Sequence, residues 1–423
     1  MYRSIVLLAV LLASAAAGCQ KSPLYVARTG EISDAPPSVE VMHWLTSQRD
    51  AAALAVVRDS LVKQGGTWRD TPMPGAGTTG RTAAVGRIVG GQPPDVFQFS
   101  LGSELAELAA RHLVAPVPGN TADWRSIYPA VIDAATRYEG RPFAIPMAVH
   151  GENWLFYNVA MLRDASLEVP HDWPELLRAA AKLKAAGKIP LALGGQPWQE
   201  RLLFNAVLLG VGGRSLYRQV YERLDPNALD SERMLEVFQT FGALRADVDS
   251  GSPGRRWTHT TLLLTHGAAA FQIMGDWAKS EILDAGLEPG QEIGCVLAPA
   301  KDVAYIMMVD VFAFSRTSEP AAQRGQLLFA QTLEDRGVQV EIAHRLGTIA
   351  ARTDLSDEGF DPCSMRAMAV IRDPEAQLMD PGLILPGGLA GAIDDSVSRF
   401  WNDKSMSPVQ GRALLRDAFL AYR

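Results

Sequence analysis

Tryptophan stands beside hydrogen-bonding side chains at several places in this sequence. Trp44 lies three residues before Ser47, Trp257 is followed by threonine, and Asp276 directly precedes Trp277. A flat aromatic ring packs against the C–H face of a sugar, while carboxylate, amide and guanidinium groups bond the hydroxyls in the ring plane. A carbohydrate site needs both kinds of side chain together, and core packing is the alternative interpretation for each ring.

The sequence lacks the common catalytic and nucleotide-binding motifs. It has no H-E-x-x-H, no G-x-S-x-G and no P-loop. Gly75 to Gly80 matches G-x-G-x-x-G, but Thr71-Pro72-Met73-Pro74 before it cannot form an interior strand, so we interpret the run as a mobile loop. We therefore expect no cofactor, and no metal, since the three cysteines and seven histidines lack the spacing of a metal site.

Charge and length narrow the class of protein further. The 423 residues carry a net charge of −7 with no basic block, which argues against nucleic-acid binding. This length predicts two or three domains, or two lobes around a cleft.

The first residues are typical of bacterial export. Arg3 precedes an apolar run that ends in Ala16-Ala17-Gly18-Cys19, which resembles a lipobox with alanine in place of the usual leucine. We predict a signal peptide over 1–18, a lipid on Cys19 and a stalk over 19–38, with plain signal cleavage as the alternative. No other apolar run approaches the roughly 20 residues of a membrane span, so this lipid is the predicted membrane attachment.

Strands and helices alternate from Val39 onward. Val39 to Trp44 has the period of a half-buried strand, and Ser47 with Asp50 forms a predicted capping box that opens a helix. The alternation predicts an α/β fold, in which ligands bind at the carboxyl ends of strands. Four further tryptophans are predicted to pack in cores: Trp124, Trp154, Trp173 and Trp401.

Two cysteines remain in the exported body. Because an even pair in an oxidising compartment usually bonds, we favour a disulfide between Cys295 and Cys363 over two buried free thiols.

Six segments, taken in order, resemble the extracellular solute-binding proteins of bacterial ABC importers, in the branch of glucose- and mannose-binding proteins. The resemblance covers about residues 39–401 and rests on Val41-Met42-His43-Trp44-Leu45-Thr46-Ser47, Gly90-Gly91-Gln92-Pro93-Pro94-Asp95-Val96-Phe97-Gln98, His150-Gly151-Glu152-Asn153-Trp154-Leu155-Phe156-Tyr157-Asn158, Ile189-Pro190-Leu191-Ala192-Leu193-Gly194-Gly195-Gln196-Pro197-Trp198-Gln199, Met274-Gly275-Asp276-Trp277-Ala278 and Gly347-Thr348-Ile349-Ala350-Ala351-Arg352-Thr353-Asp354.

The resemblance implies a type II periplasmic-binding-protein fold with two discontinuous α/β lobes. It assigns 39–148 and 304–356 to the N-terminal lobe, and 149–303 and 357–423 to the C-terminal lobe. It also implies a monomer in the periplasm that performs no covalent chemistry, closes on a sugar and docks on a membrane permease.

The family's sugar site carries over to five positions with defined roles. The resemblance implies stacking rings at Trp44 and Trp257, an acidic contact at Asp50, a polar contact at Gln98 and a hydroxyl acceptor at Asp310. Asp276 matches a family motif of mixed structural and ligand-binding role, and Arg345 is predicted to reach into the cleft.

Four positions depart from the family pattern. Leu45 replaces a tryptophan, and Ser100 replaces a histidine or lysine. Leu346 replaces a lysine, and Pro381 replaces a histidine. Glucose specificity is therefore not inherited.

Two alternatives to sugar import stay open. One is an exported carbohydrate hydrolase that uses two carboxylates among Asp50, Asp276 and Asp310, about 5 to 9.5 Å apart. The other is a binding protein that has drifted to a sensory role.

Overall fold

The computed structural model describes residues 35–73 and 76–422, with only the backbone of Ala76 and Thr78. The predicted signal peptide, Cys19 and most of the stalk lie outside these residues. The strands are β1 (Ser38–His43), β2 (Thr67–Pro72), β3 (Val96–Ser100), β4 (Val114–Ala115), β5 (Arg137–Tyr138), β6 (Arg141–Pro142), β7 (Ala144–Gly151), β8 (Trp154–Asn158), β9 (Ile189–Ala192), β10 (Ala269–Met274), β11 (Ile293–Leu297), β12 (Tyr305–Ser315), β13 (Ile349–Ala350) and β14 (Gln377–Met379).

Helices lie between and after these strands. They are α1 (Gln48–Lys63), α2 (Ala76–Val89), α3 (Ser103–Ala110), α4 (Trp124–Ile127), α5 (Ala130–Thr136), α6 (Val159–Asp164), α7 (Trp173–Ala185), α8 (Pro197–Tyr221), α9 (Pro226–Asp230), α10 (Glu232–Ala243), α11 (Trp257–Thr265), α12 (Ala278–Asp284), α13 (Pro320–Glu334), α14 (Arg336–Leu346), α15 (Pro362–Ile371), α16 (Pro381–Ile384), α17 (Gly387–Asn402) and α18 (Pro408–Ala421). In the described part of the chain, no helix combines the length and the apolar character needed to cross a bilayer.

The first sheet has the order β13-β7-β12-β3-β1-β2, and β14 and β4 also pair with β12. Strands β2, β1 and β3 run parallel, whereas β12 runs antiparallel to β3 and β7. Strand β12 is 11 residues long, apolar and almost entirely buried, as expected for a strand that is covered on both faces.

The second sheet has the order β11-β8-β10-β9. Strand β8 runs antiparallel to β10 and β11, and β9 runs parallel to β10. Its strands come from 154–297, between strands of the first sheet, so both sheets are interleaved in sequence. The lobe boundaries stay a prediction; β14 lies in the stretch predicted for the C-terminal lobe but pairs with β12.

The chain passes from the first sheet to the second at Gly151, Glu152 and Asn153, and two neighbouring segments are joined there. The side-chain Nδ2 of Asn153 donates to the carbonyl of Ala304 at 2.9 Å, and its Oδ1 accepts from the amide of Ile306 at 2.9 Å. A Cβ atom at Gly151 would lie 2.1 Å from Cζ of Tyr305, so only glycine fits at this crossing.

Four ionisable side chains cluster beside the crossing, and Glu152 and Asp380 among them are buried. Arg201 is ion-paired with Asp380 and, at 2.8 Å, with Asp394, while the nearest oxygen of Glu152 lies 3.9 Å from Arg201. Burial raises the pKa of Glu152 well above its usual value, the charge of Asp380 raises it further, and Arg201 opposes both. The arrangement therefore favours the neutral form of the Glu152 carboxyl.

Two apolar cores form in the described part of the chain, and each includes residues from both sheets. The first contains Trp124 and Trp154, and the second contains Trp173 and Trp401. All four rings are buried, which confirms their predicted packing. The predicted capping box is also present: the Ser47 hydroxyl accepts from the Asp50 amide at 3.1 Å, and the Asp50 carboxylate accepts from the Ser47 amide at 3.3 Å.

The segment around the glycine-rich run differs from the prediction. Residues Thr67–Pro72 form β2 at the edge of the first sheet, where Pro72 is tolerated because one side of the strand has no partner. Gly77 and Gly80 lie in helix α2, not in a mobile loop, whereas Gly75 is outside the described residues.

Cys295 of β11 and Cys363 of α15 form a disulfide, the pairing that the sequence favoured. The double variant Cys295→Ala/Cys363→Ala should be less stable by about 4 kcal/mol, because the bond closes a loop with a separation of 68 residues in the unfolded chain. Urea denaturation measures the difference, and reduced wild-type protein is the control. A variant as stable as the oxidised protein would contradict this expectation.

Candidate functional site

Gln98 joins two other predicted site residues at the centre of the first sheet. Its side chain is buried in β3, where Oε1 accepts from the backbone amide of Trp44 at 3.1 Å and Nε2 donates to Oδ2 of Asp310 at 2.8 Å. These contacts follow from the sheet order, since β3 lies between β1 and β12. The side-chain amide of Gln98 therefore holds the Asp310 carboxylate close to the backbone of Trp44.

His150 extends this chain of contacts to the second sheet. It lies near the end of β7, with Nδ1 2.7 Å from Oδ1 of Asp276 and Nε2 3.9 Å from Oδ2 of Asp310. Burial alone would lower the pKa of His150, but the nearby carboxylates, Asp276 above all, outweigh it and raise this pKa above 6.5. Sequence reasoning missed this residue because a single histidine before a glycine has no diagnostic spacing.

Asp276 is fully engaged within the protein. Besides His150, it accepts from the backbone amide of Gly151 at 3.1 Å and from the hydroxyl of Tyr305 at 3.3 Å. It follows β10 of the second sheet, whereas its partners lie at the ends of β7 and β12. The hydrogen bonds of Asp276 therefore mainly connect the end of β10 in the second sheet to β7 and β12.

The indole of Trp44 packs on helix α2. It is half-buried, and Cζ2 would lie 3.6 Å from a Cβ atom at Gly77 and Cε3 only 2.6 Å from one at Gly80. Positions three apart share one face of a helix, so these glycines provide a flat surface for the ring. The glycine-rich run thus supports a tryptophan and not a pyrophosphate.

Three tryptophans lie on the side of the second sheet. Trp257 begins helix α11, not the end of a strand as predicted, and its amide donates to Oε1 of Gln196 at 3.3 Å. The ring of Trp277 lies 5.7 Å from that of His150 and 6.0 Å from that of Trp198, measured between centroids. Trp198, which sequence reasoning did not select, follows the Gln196-Pro197 turn. All three rings are partly exposed.

Asp50 interacts electrostatically with the residues around Gln98. It lies in the first turn of α1, and its carboxylate acts on both His150 and Asp310. Burial raises the pKa of Asp310, with a smaller contribution from Asp50, while His150, Gln98 and Arg81 act in the opposite direction. The predicted residues Trp44, Asp50, Gln98, Asp276 and Asp310 are therefore brought together.

Arg345 is not part of this set, which corrects the sequence prediction. Helix α14 turns its buried face, including Leu346, toward the core, and places Arg345 on the outer face, where Nε donates to Glu341 at 2.7 Å. Arg81, which the sequence did not single out, donates to the Ser100 hydroxyl at 3.2 Å. It brings a positive charge to the position where the family pattern has histidine or lysine.

The geometry also bears on the hydrolase alternative. The His150 imidazole lies between the carboxylates of Asp276 and Asp310, in the space that a scissile glycosidic bond between these two groups would need. Among the described residues, no group of three or more potential ligands could hold a metal ion.

Comparison with known sequences identifies relatives along most of the chain. A family profile described as bacterial extracellular solute-binding protein matches residues 71–323. A probable sugar-binding periplasmic protein of Brucella suis is 33% identical over 378 residues, which cover 88% of this chain and 89% of the relative. A protein of the same description from Rhizobium meliloti is 33% identical over 376 residues, covering 87% and 90%.

Solved structures share the architecture. A chitin oligosaccharide binding protein matches with a TM-score of 0.78 at 18% identity, over 91% of this chain and 98% of the other. The maltose-maltodextrin binding protein of Alicyclobacillus acidocaldarius matches with a TM-score of 0.70 at 16% identity, over 90% and 100%. At these identities the likeness shows the fold, which confirms the predicted two-lobed type II class.

The His150–Asp276 pair should make stability depend on pH. Because the pKa of His150 is raised by folding, its contribution is complete below pH 6.5 and is lost as the pH rises through the folded value. We expect wild-type protein to lose more thermal stability than His150→Gln between about pH 6 and about pH 8.5. The exposed His171→Gln is the control, and parallel curves for wild type and His150→Gln would refute the pairing.

Helix α2 offers a matched pair of glycine substitutions. Gly80→Ala should destabilise the protein by about 1 to 3 kcal/mol, because its methyl group overlaps the Trp44 ring. Gly86→Ala has nothing within 4 Å and should stabilise it by up to about 1 kcal/mol through helix propensity. Urea denaturation and near-ultraviolet circular dichroism test both variants; similar effects at the two positions would contradict the packing of Trp44 on α2.

Proposed function

The chain belongs to the bacterial extracellular solute-binding protein family, and from this premise we propose that it captures a sugar between two lobes and delivers it to an ABC permease. The observation that carries this proposal is the continuous series of contacts from Trp44 through Gln98, Asp310 and His150 to Asp276. These contacts join the first sheet to the second.

The side chains around this series suit a sugar. Trp44, which follows β1 of the first sheet, and Trp257, Trp277 and Trp198, which lie in segments flanking strands of the second sheet, have partly exposed rings. Oδ1 of Asp310 is buried without a hydrogen-bond partner among the described residues, so a sugar hydroxyl that reaches it on binding would satisfy it. Aromatic faces with nearby acceptors are the combination that binds pyranoses.

Capture by closure explains why both lobes contribute side chains. A ligand favours the closed arrangement by the difference between its contacts in the closed and open states. A hinge at the Gly151–Asn153 crossing would let the lobes move while the sheets stay intact. A permease that recognises the closed arrangement then receives loaded protein.

The family consists of binding proteins and not enzymes, and relatives are described as periplasmic. For this chain we further propose export to the periplasm, a lipid on Cys19 and action as a monomer. The predicted site residues Trp44, Asp50, Gln98, Trp257 and Asp310 are proposed sugar contacts, with Asp276 as the residue that positions His150.

Titration with a panel of mono- and disaccharides, followed by calorimetry or tryptophan fluorescence, tests the proposed function. We expect at least one sugar to bind, and Trp44→Ala to weaken its binding about tenfold or more, equivalent to about 1.4 kcal/mol. Trp68→Ala, a similarly half-buried ring on the outer strand β2, should bind as wild type.

Binding of a peptide or a simple amine, with no response to any sugar, would contradict the carbohydrate assignment. Equal losses in Trp44→Ala and Trp68→Ala would contradict the placement of the site beside Trp44.

A further inference from the structure

Several carboxylates belong to the proposed sugar site or act on it through Asp50. Two of the carboxylates have a close partner: Asp276 lies 2.7 Å from His150, and Asp284 of α12 lies 2.8 Å from Nε of Arg49 of α1. The other three are Asp50, Glu281 and Asp310. In the described ranges 35–73 and 76–422, no lysine or arginine lies within ion-pair distance of these three.

Asp50 acts electrostatically on the other two carboxylates that have no lysine or arginine partner. Its charge raises the pKa of Asp310, after the larger effect of burial. It also raises that of Glu281, after burial and the charge of Asp284, while His259 acts in the opposite direction. Like charges that influence one another across a partly enclosed space are unfavourable unless a cation lies between them.

The positive groups nearby are already engaged. Arg81 is 3.7 Å from Glu104 and donates to the Ser100 hydroxyl, and it acts on Asp310 only at longer range. His150 lies closer to Asp276 than to Asp310, at 2.7 Å against 3.9 Å. One imidazolium cannot neutralise both carboxylates, and its nearer partner is Asp276.

Asp310 supplies an independent sign of a missing donor. The side chain is only 3% exposed, and its Oδ2 accepts from Gln98 at 2.8 Å. Its other oxygen, Oδ1, is fully buried and lacks a partner among the described residues. A buried carboxyl oxygen without a partner is costly, and a charged donor compensates it better than a neutral hydroxyl, because it also favours the ionised carboxylate that burial disfavours.

We propose that the sugar bound by this protein carries a protonated amino group, and that its ammonium lies against Oδ1 of Asp310 in the field of Asp50 and Glu281. This inference rests on the proposed function, since it names which sugars the cleft takes. An ammonium brings three N–H donors and one full positive charge. It therefore satisfies the free oxygen and also offsets the excess negative charge, whereas a hydroxyl does only the first.

Calorimetry with sugars matched in shape tests the amino preference. The pairs are D-glucosamine with D-glucose and D-galactosamine with D-galactose, with N-acetyl-D-glucosamine as a neutral amide, at low salt and below the pKa of the amine. We expect at least one amino sugar to bind about tenfold or more tightly than its neutral partner, and the preference to shrink as salt is added.

A charge-neutralising variant connects the preference to the carboxylate. Asp310→Asn should reduce the amino-to-neutral affinity ratio about tenfold or more, while Asp59→Asn, on the exposed part of α1, should leave the ratio unchanged. If Asp310→Asn fails to fold by circular dichroism, Asp50→Asn takes its place, because asparagine retains an oxygen for the helix cap.

The outcomes separate the inference from the function on which it rests. Neutral sugars that bind as well as, or better than, their amino partners would overturn the amino preference and leave the proposed function in place. An amino preference that survives in the charge-neutralised variant would also overturn it. Failure of every sugar, amino or neutral, to bind would overturn the proposed function and the inference together.

Discussion

The contacts of Asn153 set the geometry on which the site depends. Its buried amide bonds the carbonyl of Ala304 and the amide of Ile306, so the end of β7 and the start of β12 enter the crossing side by side. His150 lies three residues before Asn153, and Asp310 lies four residues after Ile306. One side chain therefore fixes the relative position of two of the charged groups at the site.

The charged groups near this crossing differ in how well their partners compensate them. Arg201 is ion-paired with Asp380 and Asp394, and burial raises the pKa of Glu152, so positive and negative groups largely compensate one another beside the crossing. At Asp310, in contrast, one oxygen is bonded and the other is free. A binding site has to contain such unsatisfied groups, because a polar atom that is already satisfied gains nothing from a ligand.

Local patterns in the sequence determined most of the strands, the cap at Ser47 and the core tryptophans, since these depend on nearest neighbours and periodicity. Nonlocal features were less accessible. The role of His150 depends on two carboxylates 126 and 160 positions away, and the glycine-rich run appeared to be a loop because Pro72 and Pro74 precede it. Arg345 and Leu346 are consecutive residues, so their side chains are rotated by about 100° from each other around the axis of α14. Arg345 therefore lies on the outer face and Leu346 on the inner face. The strand order places the partners of His150, and the packing of α14 and α2 decides the other two.

The ion pair between Arg49 of α1 and Asp284 of α12 has a consequence for the empty protein. It joins helices that accompany different sheets, so it favours this arrangement before any ligand arrives. The apparent affinity for a ligand is proportional to the fraction of molecules that already have the binding-competent arrangement. The dissociation rate of the ligand depends in turn on how fast contacts such as this ion pair break. Since both side chains are partly solvent-exposed, added salt should weaken this pair and lower the fraction of ligand-free molecules that have this arrangement.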